Sequence, residues 1–199
     1  CPYSWYPPPF SSLCVIYRNN NMTIAITRTP AHSITNCELT FIDRLPIDYE
    51  RALEQHRAYC AALEACGLHV VTLPAAENLP DSVFVEDTAV VVDELAVLCR
   101  PGVASRQQET ATMAAALAAY RVVRTLPPAA RLEGGDVMRV GRTLYVGRSG
   151  RTNTAGIEAL RAHVAAAGYQ VEGVDLDGCL HLKTACTFVP PGIVLANSS

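Results

Sequence analysis

Pairs of short strands separated by a single helix recur along this chain at nearly constant spacing, and that recurrence restricts its fold more than any other feature. The run T-A-V-V-V and the run L-A-V-L-C read as a hairpin turning at Asp93-Glu94. Ser105 with Gln108 has the pattern of a capping box opening an alanine-rich helix that runs through Tyr120. A strand over 121–127 follows, and the order then repeats. G-G-D-V-M-R-V-G-R-T-L-Y-V-G-R-S reads as a hairpin turning at Gly141-Arg142. Asn153 or Thr154 caps a helix with Ile157, Leu160 and Val164 on one face, stopped by Gly168. A third round begins with Y-Q-V-E-G-V-D and continues through T-A-C-T-F-V, a Pro-Pro-Gly turn and I-V-L-A-N. Cys99 and Val146 are 47 positions apart, and Val146 and Leu195 are 49 apart. No such module can bury its own apolar face, so the modules must pack around a shared centre or stack in a row. Upstream, a helix fits Asp48–Cys66 with Leu53, His56, Cys60 and Leu63 at helical spacing and Gly67 as its stop; the strand L-H-V-V-T-L-P follows it.

The first 21 residues differ from the rest, with four prolines and Arg18 as their only charge. Residues 1–21 are expected to be a foreign or disordered extension, with Met22 as the natural start and 22–199 as the folded unit. A secretory signal would need a basic start and a longer apolar run. The formal charge of −3 and pI near 5.9 argue against a nucleic-acid binder. No stretch approaches the roughly 18 apolar residues of a membrane span. Eight cysteines show no CxxC and no metal-knuckle spacing. They read as structural thiols of a reducing compartment, the cytoplasm.

D-S-V-F-V-E-D, Asp81 to Asp87, reads as an acidic strand. In a straight strand its ends would lie about 20 Å apart. A shared site for Asp81, Glu86 and Asp87 therefore requires a bend near Val85 to Asp87. The alternative is a strand whose ends carry solvated acids. His181, in C-L-H-L-K-T, stands between two leucines, where a satisfied core histidine is the ordinary reading. Glu133-Gly134-Gly135-Asp136 reads equally as a tight loop with solvated acids. What links these segments is register, because all three occupy the entrance to a module's hairpin. Modules around an axis would bring them together, and acids, a base and a cation cage suit attack on a guanidinium carbon.

The motifs L-P-D-S-V-F-V-E-D, R-P-G-V-A-S-R, L-E-G-G-D, G-R-S-G-R-T-N and L-H-L-K-T, in this order, resemble the dimethylarginine dimethylaminohydrolase family. The resemblance runs from about Met22 to Ser199. It implies an α/β fold: the five-bladed propeller of the guanidine-modifying (pentein) superfamily, of which about three to four modules are present. It also implies hydrolysis of N-omega-methylated arginine to citrulline and a methylamine, without metal or organic cofactor. Carried over by position, His181 corresponds to the general acid/base and Glu133 to the carboxylate that orients it. Asp81, Glu86 and Asp87 correspond to substrate-binding acids. Arg106 and Arg151 correspond to substrate-binding arginines suited to an α-carboxylate; taken alone, both read equally as solvated helix-start residues. Leu39 falls near the family's lid leucine, in a loop one residue longer than the pattern.

The family's nucleophilic cysteine lies in the fifth module, and none of the cysteines here matches it. The expected partner is therefore a small cationic substrate, with turnover awaiting a thiolate from beyond Ser199 and none expected from these residues alone. An arginine deiminase-like hydrolase and a non-catalytic binding module remain the alternatives. A partial propeller would expose apolar faces and a strand edge, favouring association such as a homodimer.

Overall fold

The computed structural model describes residues 15–19 and 22–197. It is a mixed α/β fold built by repeating one unit, an antiparallel strand pair followed by a helical crossover to a parallel third strand. The first sheet joins β1 (Val15–Asn19), β2 (Met22–Arg28) and β3 (His69–Leu73), with α1 (Tyr49–Ala65) crossing from β2 to β3. The second joins β4 (Ala89–Val91), β5 (Leu95–Leu98) and β6 (Val122–Thr125), with α2 (Glu109–Ala118) as the crossover. The third joins β7 (Val137–Val140), β8 (Thr143–Arg148) and β9 (Gln170–Asp175), with α3 (Thr154–Val164) between the last two. After α4 (Leu182–Ala185), β10 (Cys186–Val189) and β11 (Ile193–Ala196) form a further hairpin. Strand β1 lies inside the segment expected to be foreign and pairs antiparallel with β2 along its edge. The rest of that segment, 1–14 and 20–21, is outside the described residues.

Local chemistry explains most element ends. Asp48 accepts from the Arg51 backbone N–H at the start of α1, and Asn153 accepts from Gly156 N–H at the start of α3. Gly141 (φ +59°) makes the β7–β8 turn, a backbone conformation that residues with a side chain rarely adopt. On α3, Ile157, Leu160 and Val164 are each at most 1% exposed. Burying such a face contributes roughly 1.5–3 kcal/mol per side chain. Two apolar clusters fill the seams between modules. One sets Ile24 and Ile26 of the first sheet against Ala96 and Leu98 of the second and Met113 and Leu117 of α2. The other joins Val97 and Leu132 to Leu144, Val146 and the α3 face.

Several expectations need correction. Asp81–Asp87 is not a strand: residues 80–83 turn, and Val85–Thr88 forms a 3₁₀ helix. Short-range bonds such as Phe84 N–H to Asp81 O (2.9 Å) and Asp87 N–H to Phe84 O (3.1 Å) replace ladder pairing. A brief apolar run cannot tell strand from tight helix by period alone, and the Val83 and Val85 side chains are buried in this geometry too. The Ser105–Gln108 capping box does not form. Helix α2 starts at Glu109, Gln108 makes no side-chain cap, and Ser105 Oγ donates instead to Glu38 Oε1 at 2.7 Å. On α1 the buried residues are His56 and Tyr59, with Leu53, Cys60 and Leu63 only half-buried. Thr184 and Ala185 belong to α4 rather than to the following strand.

Candidate active site

Each module opens through a short helical turn: Val85–Thr88 before β4, Gly134–Asp136 before β7, and α4 before β10. These turns pack on one another, and the candidate residues converge there. The approach is close enough to require glycine. A Cβ on Gly134 would lie 2.0 Å from the backbone oxygen of Glu86. A Cβ on Gly135 would lie 2.8 Å from Asp87 Oδ1 and 2.8 Å from His181 Cδ2. The paired glycines of E-G-G-D therefore allow one module's entrance to sit against its neighbours.

His181, just before α4, is 6% exposed and ringed by acids. Its Nε2 lies 3.5 Å from Glu133 Oε2 and 3.9 Å from Asp87 Oδ1; its Nδ1 lies 3.5 Å from Asp136 Oδ1. Burial disfavours the imidazolium, but Asp136, Asp87 and Glu133 outweigh that and raise the ring's pKa above its usual value. Glu133 is wholly buried, and its Oε1 accepts from Gly102 N–H (2.9 Å) and Arg151 Nη1 (3.4 Å). Desolvation and the nearby Asp87 charge push its carboxyl up. Glu133 Oε2 and His181 Nδ1 are both buried without an ordinary hydrogen bond. Such orphaned atoms mark places where a structure is arranged for something other than packing.

Arg106, 4% exposed, is the hub of the acids. It donates through Nη1 to Asp87 (3.1 Å), through Nε and Nη2 to both Glu109 oxygens (3.1 and 3.0 Å), and lies 3.6 Å from Glu133 Oε2. Burial works against ionisation of Asp87, yet Arg106 and His181 hold its carboxyl below the usual range. Glu86 faces away from this hub and pairs with Lys183 Nζ; desolvation pushes its carboxyl up to about 7. Asp81 accepts the Glu38 backbone N–H on both oxygens at 3.1 Å, and burial raises its pKa. Leu39 is half-buried in the same loop. Its neighbours are both tied to the site, Glu38 to Asp81 and Thr40 Oγ1 to Arg151 Nη2 at 3.0 Å.

The structure thus gathers His181, Glu133, Asp81, Asp87, Arg106 and Arg151, brings Leu39 to the rim, and sets Glu86 to one side. Sequence reasoning missed Glu109, Lys183 and the role of Asp136. Asp136 had a signal, since it stands in its module where Asp87 stands in the one before. Lys183 lay within the quoted L-H-L-K-T motif, and Glu109 had no signal, being an ordinary charge near a helix start. Asp81, Glu86, Asp87, Glu109, Glu133 and Asp136 outnumber Arg106, Arg151 and Lys183 two to one, an excess that suits a cationic ligand. Asp87, Glu133 and His181 each offer a ligand atom within 4.8 Å of the others. Arg106 and Arg151 already bond those carboxylates, so the cluster's fixed cations are arginines. A cleft of about 290 Å³ lined by Glu86, Gly134, Met138, Lys183 and Phe188 opens beside the turns. His181, Asp87 and Glu133 do not line it, and the concentration of buried charge marks the site better than that opening does.

Repeated modules of a mixed α/β fold, meeting at entrances lined by buried acids and a histidine, match the guanidine-modifying (pentein) class through the relatives that follow. A model of eukaryotic N,N dimethylarginine dimethylhydrolases matches residues 41–185. The N(G),N(G)-dimethylarginine dimethylaminohydrolase of Streptomyces coelicolor is 41% identical over 174 residues, covering 87% of this chain and 67% of that protein. The Pseudomonas aeruginosa enzyme of the same name is 38% identical, covering 86% and 68%. A solved structure of the Pseudomonas aeruginosa enzyme, a cysteine-to-serine mutant complexed with citrulline, superposes with a TM-score of 0.80 at 37% identity, covering 83% of this chain and 65% of that one. The chain belongs to the dimethylarginine dimethylaminohydrolase family and spans about two thirds of the length of these relatives. Among the described residues, no helix is long and apolar enough to cross a membrane.

Proposed function

We propose that these residues form the substrate-binding and proton-transfer half of a site that hydrolyses N-omega-methylated arginine to citrulline and methylamine or dimethylamine. The observation that carries the reading is His181, buried with Glu133 and Asp87 at Nε2. A thiolate attacks the guanidinium carbon, whose charge is held by Asp81 and Asp87, while Glu86, paired with Lys183, stands aside. His181 passes its Nε2 proton to the departing amine. The neutral ring then takes a proton from the water that displaces the thiolate, releasing citrulline. Glu133 stabilises the imidazolium. Arg106 is saturated by protein carboxylates and serves by holding Asp87 and Glu133 in place. Arg151, bonded to the Leu39 loop, is better placed to meet the substrate's α-carboxylate.

Burial raises the pKa of Cys37, Cys99, Cys179 and Cys186, which keeps these thiols protonated and weakly nucleophilic. The reading assigns the attacking thiolate to residues outside this sequence, because the family's pattern places its nucleophile in a later module. The test is citrulline release from asymmetric dimethylarginine, by the 199-residue chain and by the full reading frame that encodes it. Only the latter is expected to turn over. No product from the full frame overturns the reading, and product from the chain alone refutes the external nucleophile.

A further inference from the structure

Asp136 meets His181 differently from the other acids around the ring. It is wholly buried. Its Oδ2 accepts from Ser149 Oγ at 2.7 Å and Thr152 Oγ1 at 2.6 Å. Its Oδ1 accepts from Leu182 N–H at 3.1 Å and lies 3.5 Å from His181 Nδ1. Every hydrogen-bond donor on this carboxylate is thus a neutral group. By contrast, Asp87 and Glu133, which face Nε2, share their charge with Arg106, and Glu133 also with Arg151. Glu86, further from the ring, is paired with Lys183. Among the described residues, His181 is the one ion-pair partner Asp136 has.

We propose that Asp136 is the positioning residue for His181: it holds the proton on Nδ1 and so leaves Nε2 as the atom that exchanges protons with substrate. The assignment rests on the proposed hydrolase reading and sharpens it. Glu133 stands on the Nε2 side of the ring, so orientation belongs to Asp136 and Glu133 acts on the charge facing the substrate. The bond to Leu182 N–H fixes the same carboxylate to the residue after His181, locking ring and backbone to a single anchor. A carboxylate behind a histidine keeps one tautomer through both halves of an acid–base cycle, and losing that control in a serine hydrolase costs about 10⁴ in turnover.

The experiment is a histidine-selective ¹⁵N–¹H NMR titration of the 199-residue chain, with His181 assigned by comparison with His181→Gln. The neutral wild-type ring is expected as the Nδ1–H tautomer. In Asp136→Asn it should lose that preference, and its pKa should fall by about one unit or more. In Glu133→Gln the pKa should fall as well, but the Nδ1–H tautomer should persist. Ser149→Ala removes one of the two side-chain donors on Oδ2 and leaves more charge on the carboxylate, so the Nδ1–H tautomer should persist and the ring's pKa should rise slightly. In the full reading frame, Asp136→Asn should lower kcat for citrulline release by roughly 10²–10⁴-fold. A neutral wild-type ring protonated on Nε2 overturns the proposal even if no variant folds. So does a folded Asp136→Asn ring that keeps both tautomer and pKa. An inactive wild-type full frame whose NMR behaves as stated would instead refute the hydrolase reading and leave the Asp136–His181 coupling standing.

Discussion

Replacing the paired glycines at the module entrance separates what holds the fold from what aims the site. In Gly134→Ala the new methyl would sit 2.0 Å from the Glu86 carbonyl oxygen and 3.2 Å from that of Ala89. Both are backbone atoms of the adjoining 3₁₀ turn and β4, so relief means moving one module against another by roughly an ångström. Overpacking a tight core costs about 1–3 kcal/mol, and a clash against backbone belongs at the upper end. At about 2–4 °C per kcal/mol for a chain of this size, the melting temperature should fall by roughly 6–12 °C. In Gly135→Ala the methyl meets only side-chain atoms, Asp87 Oδ1 and the His181 ring at 2.8–2.9 Å. These can yield by about half an ångström, so the stability loss should stay below about 1.5 kcal/mol. The imidazole is displaced, however, and misplacement on that scale costs on the order of 10²-fold in rate. Gly150→Ala, with no atom within 4 Å, is the control and should change stability by less than about 0.5 kcal/mol. Thermal unfolding followed by circular dichroism measures the first effect, and citrulline release by the full reading frame the second. The packing argument fails if Gly134→Ala melts within 2 °C of wild type, or if Gly135→Ala proves the less stable of the two.

Two further predictions follow from the charges. Glu86 has a folded-state pKa of about 7 against an ordinary 4.5, so between those values the folded chain holds a proton that the unfolded chain has released. Stability must fall as pH rises through that window. Glu86→Gln should remove the share of that slope due to Glu86, so wild-type unfolding free energy relative to the variant should drop by on the order of 3 kcal/mol from below pH 4.5 to above pH 7; a constant difference in urea titrations would contradict the assignment. Arg106→Met leaves Asp87, Glu109 and Glu133 without their shared cation and should cost about 3–5 kcal/mol at pH 8. The loss should be smaller at pH 5, where Glu109, whose carboxyl burial pushes up to about 7, is protonated; denaturation at both pH values checks this, and equal losses would sink it. Arg106→Lys should recover only part, because one ammonium cannot span Asp87 and both Glu109 oxygens as the guanidinium does.

The module order was legible in the sequence because alternating apolar runs, helix faces and turn glycines all point the same way. The α3 face and the hairpins around Gly141 and Asp93 fall where their residues require. The acidic segment was misread because V-F-V satisfies a buried strand and a tight helical turn equally. Asp81 and Asp87 nevertheless come together around Arg106, since the required bend is supplied by the turn itself, while Glu86 is turned toward Lys183. The Ser105 cap failed for a different reason: a tertiary partner, Glu38, claims the hydroxyl. His181, Glu133 and Asp87 could be placed near one another from register alone. Which acid faces which ring nitrogen could not, because that depends on close approach between turns that lie far apart in sequence. Glu109, and the pairing of Lys183 with Glu86, remained invisible for the same reason.

Two of the backbone hydrogen bonds across the module entrances run the same way along the chain. Asp87 accepts from Gly135 N–H at 3.0 Å, and Asp136 accepts from Leu182 N–H at 3.1 Å. Each time the carboxylate belongs to the earlier module and the donor to the later one. Both acids also have partners inside their own modules, Arg106 for Asp87 and Ser149 with Thr152 for Asp136. The next module supplies only the last backbone donor, so each entrance is completed by residues made after it.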